Sequence, residues 1–346
     1  MRITRRSLVL SVALLAAGVT ATANAAVDAA LIAAAKKEGE VSWYSSLVVN
    51  QASRPIAAAF EKKYPGIKVK ITSGTATDLL LKIMAEGRAN SPRADVSHAG
   101  SGLSTLLKGD MIVPYIPSEA ARYPAQYKDA KGYWTGQVVS FLVPAMNTDL
   151  VKPKDEPKTW NDLLDPKWKG KMAWAQQMTQ GGPPGFIGAT LNVMGQQKGM
   201  DFLRKFSQQR IVNVPANQRV VLDQAIAGEY PIALSTFSHH SELSAKKGAP
   251  IKWLKMDYVV GTVDPAFLIK NGPHPNAARL FLEFLLSSEG QAIFRSADYI
   301  PADPAVPASI PGLKPETGHF KAVFLPLSLV DADMPKWINI YNELFK

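Results

Sequence analysis

No cysteine occurs anywhere in the 346 residues. The chain therefore forms no disulfide, offers no thiolate to a metal or to a nucleophilic step, and has no cysteine after a leader to carry a lipid anchor. Motifs of catalysis are missing as well. There is no Gly-x-Ser-x-Gly elbow, no His-Glu-x-x-His zinc helix and no phosphate-binding loop of the nucleotidase type. Ser238 precedes His239 directly, but adjacency in sequence does not make a nucleophile–base pair. Asp331 and Asp333 read as solvated acids of a surface turn. These absences predict a protein that is not an enzyme and holds no cofactor.

Long apolar runs are also scarce. One, over 8–19, follows Arg2, Arg5 and Arg6, is too short to span a bilayer, and leads to the small-residue signature Ala23-Asn24-Ala25. Residues 1–25 are thus expected to be an export signal cut after Ala25, by the general secretory route or, given Arg5-Arg6, the twin-arginine route. A periplasmic location follows. Without the three leader arginines the net charge falls from +10 to +7. The remaining lysines stand in scattered pairs such as Lys36-Lys37 and Lys246-Lys247, not in the concentrated basic stripe with stacking aromatics that nucleic acid needs.

What is present is an alternation of helical and strand patterns. Helices are predicted over 29–37, 52–63 and 76–86, and strands over 41–44, 67–71 and 94–96. A β-rich run over 138–144, a short helix over 160–164 and a turn over 165–171 follow. Then come helical runs over 186–194, 200–207 and 220–227 and a strand over 231–234. This order predicts an α/β layered fold, and the length suggests two lobes. The segment Pro273-His274-Pro275-Asn276-Ala277 opens a helix whose Ala277, Phe281, Phe284 and Leu285 share one apolar stripe, closed by Gly290. The proline-rich stretch 301–315 reads as a surface wrap.

Four segments in one order carry a resemblance to a known family. They are Glu38-Gly39-Glu40-Val41-Ser42-Trp43-Tyr44-Ser45-Ser46, Phe60-Glu61-Lys62-Lys63-Tyr64-Pro65-Gly66-Ile67-Lys68-Val69, Asp165-Pro166-Lys167-Trp168-Lys169-Gly170-Lys171 and the helix after Pro273. Together they resemble the extracellular solute-binding proteins of bacterial ABC importers, and most nearly the ferric-ion and polyamine binders. That resemblance implies a two-lobed periplasmic binding protein fold of type II, with two mixed sheets flanked by helices and two hinge crossings. The crossings are placed near 137–143 and 258–266. The first lobe would then be discontinuous, 26–138 with 264–346, and the second would be 139–263. The implied partners are a small ligand and the permease subunits of an importer, with the protein itself a monomer.

In open α/β sheets the turns after the strands converge on the ligand crevice. Here those turns supply Tyr44, Ser45, Ser46, Ser73, Thr75, His98 and Ser101 from the first lobe, and Thr179, Arg219, Thr236, Ser238 and His239 from the second. Hydroxyls at helix N-termini, where unpaired N–H groups and the helix dipole coincide, suit an anion. Arg219 at a helix start would add a bidentate grip on a carboxylate or phosphate. Each serine or threonine could equally cap a helix, Arg219 could be a solvated surface group, and Tyr44 could pack inward. Trp43 is expected in the core. His239 and His240, as neighbours, diverge on a strand and share no helix face, which makes them a poor chelate.

The resemblance places the ferric binders' tyrosine pair at Phe237 and Ser238, their histidine at about Val48 and their glutamate at about Gly100. None of these four supplies the anionic oxygen that ferric iron takes. Polyamines would need acidic walls, which the strand-end turns lack. The expected ligand is therefore a small organic anion: a carboxylate, phosphonate or phosphorylated metabolite. The alternatives are a ferric ion or ferric chelate held by a different ligand set, and a sensory protein reporting to a membrane receptor.

Overall fold

In the computed structural model, residues 27–98 and 102–346 are described. The export signal expected over 1–25 lies outside them. The first third alternates helices and strands: α1 (Ala29–Glu38), β1 (Glu40–Ser45), α2 (Arg54–Lys63), β2 (Lys68–Ser73), α3 (Ala76–Arg88), β3 (Val96–Ser97), α4 (Leu103–Lys108) and β4 (Ile112–Val113). Gly39 closes α1 in the left-handed region at φ 73°, and its N–H bonds back to the Ala35 carbonyl. β1 pairs in parallel with both β2 and β3, the arrangement that crossover helices impose.

The long β5 (Thr135–Asn147) then leaves this unit. It leads to β6 (Met172–Ala175), α5 (Pro183–Met194), α6 (Gln196–Ser207), β7 (Val212–Val214), α7 (Gln218–Ile226), β8 (Ile232–Phe237), α8 (Ser238–Lys246) and β9 (Ile251–Trp253). The equally long β10 (Val259–Ile269) returns, antiparallel to β5 from Val260 opposite Leu142 to Ala266 opposite Thr135. The strand order is β2-β1-β3-β10-β5-β8-β6-β7. These two strands are the crossings anticipated from 137–143 and 258–266, and each belongs to both halves of the sheet.

Two main cores lie on either side of the crossing. The first gathers Trp43, Phe60, Phe281 and Phe284, with the Phe60 and Phe281 rings edge-to-face at 5.0 Å. The second gathers Trp160, Trp174, Phe186 and Phe206. Apolar burial of this kind, at about 25 cal/mol per Å2, is what offsets the entropy of ordering each half.

The chain ends with α9 (Pro275–Leu286), α10 (Ser288–Ser296), β11 (Ile300–Pro301), α11 (Pro315–Gly318), β12 (Ala322–Phe324) and α12 (Leu327–Leu344). Several expectations are corrected here. Gly290 does not close α9. Ser287 ends it and caps α10 through the Gly290 N–H, while Gly290 packs so tightly that a Cβ would stand 2.1 Å from the Phe284 carbonyl oxygen. The apolar face of α9 is also wider than one stripe, because α1, α10 and the sheet enclose it. Its N-terminal amides, at Asn276 and Ala277, are taken by the Glu38 carboxylate at 2.7–3.1 Å, an acid at the positive end of a helix dipole.

The proline-rich stretch is not a surface wrap. Ala302, Asp303, Ile310 and Leu313 are buried, and Lys314 donates to the Asp303 and Val306 carbonyls. Asp331 and Asp333 sit on α12, not in a turn. That helix packs on α5 through Trp337, Ile340 and Tyr341 of the second core. The lobe division proposed for this chain therefore gives α12 to the second lobe, instead of leaving all of 264–346 with the first.

Candidate functional site

Side chains at the ends of β1, β2 and β3 divide between structure and surface. Tyr44 points inward, not into a crevice. It is buried beside Leu79 and Ile83 and donates to Glu86 at 2.6 Å, and burial with that carboxylate pushes its phenol pKa up. Trp43, on the opposite face of the strand, is in the core as expected. Ser45 is buried against Ser53 at 3.0 Å. Thr75 caps α3, accepting from the Asp78 N–H at 3.1 Å.

Ser46 and Ser73 remain exposed at the strand ends. The Ser46 N–H donates to Nδ1 of His98 at 3.3 Å, and His98 lies buried beside Trp43. Burial without a compensating charge lowers the His98 pKa to about 4, so the ring is neutral at physiological pH. Ser101 lies outside the described residues.

On the other side of the crossing, Thr179 is exposed in the turn after β6. Thr236 is buried and donates to the Val143 carbonyl at 2.9 Å, so its hydroxyl serves the sheet. Arg219 begins α7 but does not reach outward for a ligand. Its guanidinium pairs with Asp223 one turn on at 2.7 Å and donates to Ser244 of α8 at 3.3 Å. Asn217, not Arg219, satisfies the helix start, accepting from the Arg219 and Val220 amides.

The junction of β8 and α8 is different. Ser235 takes φ 53°, a left-handed conformation uncommon for a serine, and the pairing with β5 slips between Val143 and Ala145. The chain then turns directly into α8, whose cap position, Phe237, has no side-chain oxygen to offer. Ser238 is fully buried and its Oγ has no partner among the described residues; Nδ1 of His239 and Nδ1 of His240 are likewise unpartnered.

The two imidazoles do not diverge as anticipated. Their centroids are 4.3 Å apart, and each packs on Phe237 at 5.5–5.6 Å, because both sit on the first turn of the helix above that ring. Burial, and then His240, lowers the His239 pKa to about 3; burial and the nearby Arg219 charge lower that of His240. Unpaired buried polar atoms cost about 1–3 kcal/mol each, and three of them fall in the first turn of α8.

No group of three or more histidines, aspartates or glutamates positioned for a metal occurs among the described residues, and none of their helices is long and apolar enough to cross a membrane. Sequence reasoning passed over Gln137, fully buried with both side-chain amide atoms unpartnered among the described residues, and Asp264, the one acid in the crossing segment 258–266.

Residues 41–299 match the family model of bacterial extracellular solute-binding proteins. Iron uptake protein A1 of Synechocystis is 24% identical over 331 residues, covering 91% of this chain and 90% of its own. A Salmonella paratyphi A protein, named as a candidate 2-aminoethylphosphonate-binding periplasmic protein, is 22% identical and covers 89% of this chain and 86% of its own. Among solved structures, the Trichodesmium protein in complex with iron and citrate superposes with a TM-score of 0.75 at 23% identity, over 89% of this chain and all of that one. Two cores joined by a pair of crossing strands, together with these matches, place the chain in the bacterial extracellular solute-binding protein family, the periplasmic ligand-capturing components of ABC importers.

Proposed function

We propose that this protein captures a small organic anion between its two lobes and presents the closed form to the permease of an importer, acting as an exported, soluble monomer. The observation that carries the proposal is the start of α8. There a buried, unpartnered hydroxyl and two neutral imidazoles meet free helix N–H groups, and Phe237 and Ser238 provide no phenolate or carboxylate oxygen. Ser238 and His239 would hold the anion from the second lobe, and Ser46 and Ser73 would close on it from the first. Thr179 borders the same mouth. His98 would position Ser46 from beneath. Tyr44, Ser45, Thr75 and Thr236 support the walls and touch no ligand. Closure follows only as far as the ligand contacts both lobes, since equal affinity for open and closed states shifts nothing.

A second reading has its own support. Relatives are named for iron uptake, and the Trichodesmium neighbour holds iron with citrate. A ferric chelate is itself an anion and could use the same donors without ligand oxygens from the protein. No reaction is proposed; the relatives are uptake and binding proteins. Transport and sensing use the same pocket and differ in the membrane partner that recognises the closed form.

Thermal denaturation of leaderless protein against carboxylates, phosphonates, sugar phosphates and ferric citrate tests this reading, because a ligand of the native state raises the melting temperature. Stabilisation by an organic anion, abolished in His239→Gln, is the expected result. Tight uptake of uncomplexed ferric ion, with no response to any anion, would refute it.

A further inference from the structure

Helix α5 ends without a cap. The Gly195 N–H makes no bond back to the Leu191 carbonyl, the last turn has no basic residue, and the carbonyls of Leu191 to Met194 receive no hydrogen bond from the described residues. Leu191 is only 2% exposed, which leaves its carbonyl little water to compensate. The negative end of the helix dipole falls at the same place.

A cavity of about 260 Å3 opens at this helix end, with Gly188, Leu191 and Asn192 of α5 facing Leu329, Asp333 and Trp337 of α12. The three α12 residues recur every four positions and share one face. Trp337 is buried and lays its ring on Gly188, where a Cβ would stand 2.6 Å from it. Asp333 is half-buried and pairs with no base among the described residues. Lys336, nearby on α12, donates instead to Gln196, another lining residue, at 2.9 Å. The cavity thus presents a carboxylate and free carbonyls above an apolar floor, and no lysine, arginine or histidine lines it.

This place is distant from the start of α8. β6 and β8 run parallel, so the chain enters α5 at the end of the sheet where α8 also begins. The twelve residues of α5 then carry it about 18 Å away from that end.

We propose that this cavity is a second binding site, which takes an alkylguanidinium head through the Asp333 carboxylate and the free carbonyls of Leu191 and Asn192. A guanidinium offers five N–H donors in one plane, enough for acceptors on two walls, and is hydrated weakly enough to sit above Leu329 and Trp337. An ammonium is compact and strongly hydrated and would leave part of this acceptor set unmet. Leu327, at the start of α12, packs against the first-lobe cluster of Leu79, Leu103 and Leu106. A ligand held here therefore braces the helix that touches both halves of the molecule. The site is independent of the anion reading, and nothing at the start of α8 enters it.

Fluorine NMR of leaderless protein labelled with 5-fluorotryptophan tests this, the Trp337 line among the seven tryptophans being identified by its loss in Trp337→Phe. The probes are n-butylguanidinium and its neutral isostere n-butylurea. The Trp337 line should move saturably with the cation and stay still with the urea, and Asp333→Asn should weaken the response about tenfold, the scale of a charge-assisted contact. A still Trp337 line, an equal response to n-butylurea, or undiminished binding in Asp333→Asn overturns the proposal. Calorimetry of n-butylguanidinium with wild type and Asp333→Asn reads the same comparison without relying on Trp337→Phe to fold. An end-capped arginine dipeptide distinguishes the sources of the group: tighter binding than the free cation assigns the site to a partner's arginine side chain, weaker binding to a free solute.

Discussion

Replacing Asp264 by asparagine should stabilise the protein. The carboxyl pKa moves from an ordinary 3.8 to about 6 in the fold, and burial is the cause. Between these values the folded chain binds more protons than the unfolded one, so the stability contributed by this group falls as pH rises, and its full penalty is present above about pH 6. Two units correspond to about 3 kcal/mol, and solvent reaching the half-buried group brings the expected penalty to on the order of 2 kcal/mol. Asparagine has the same shape and no charge, so it removes the penalty. The wild-type curve alone would hide this, because His98 and His239 are neutral in the fold at pKa values of about 4 and 3 and destabilise it as acid protonates the unfolded chain. The difference between variant and wild type cancels them. Urea unfolding at intervals from pH 4 to pH 8 should show the two proteins close together at the acid end and the variant more stable by about 2 kcal/mol at pH 7–8. Parallel curves, with no opening between pH 4 and 6, would refute the desolvated carboxylate.

Other consequences follow from single contacts. Wild-type stability should fall steadily below pH 6.5 as the depressed histidine pKa values are approached, and His98→Phe should flatten part of that slope in acid denaturation curves. Gly290→Ala should cost about 3 kcal/mol in chemical denaturation, since its methyl group would meet the Phe284 carbonyl oxygen at 2.1 Å on backbone that cannot yield cheaply. Glu283→Gln should cost about 2 kcal/mol, because the buried carboxylate accepts from the Tyr115 hydroxyl at 2.6 Å and from both N–H and hydroxyl of Ser118, and an amide nitrogen cannot accept. Arg219→Ala should change stability by less than about 1 kcal/mol, as expected for an exposed pair with Asp223. A tenfold loss of affinity in that variant would show that the arginine leaves Asp223 to reach the ligand.

The sequence by itself determined the order of helices and strands, because hydrophobic period, proline entries and glycine stops are local signals. The two crossings were placed by the family resemblance, and the chain there forms β5 and β10. Local signals could not say which serines were free. Ser45 is consumed by Ser53, Thr75 by the α3 amides and Thr236 by the Val143 carbonyl, whereas Ser238 has no partner among the described residues, and these differences depend on chain brought from elsewhere. Arg219 looked like an anion clamp until α7 and its own Asp223 came within reach. Only the tertiary structure brought the His239 and His240 rings together over Phe237, sent α12 to the second core, and left the desolvated Asp264 without a cation to offset it. Periodicity records which face of an element is buried. Whether a polar atom on it is paired depends on neighbours distant in sequence, and that pairing is what separates scaffold from site.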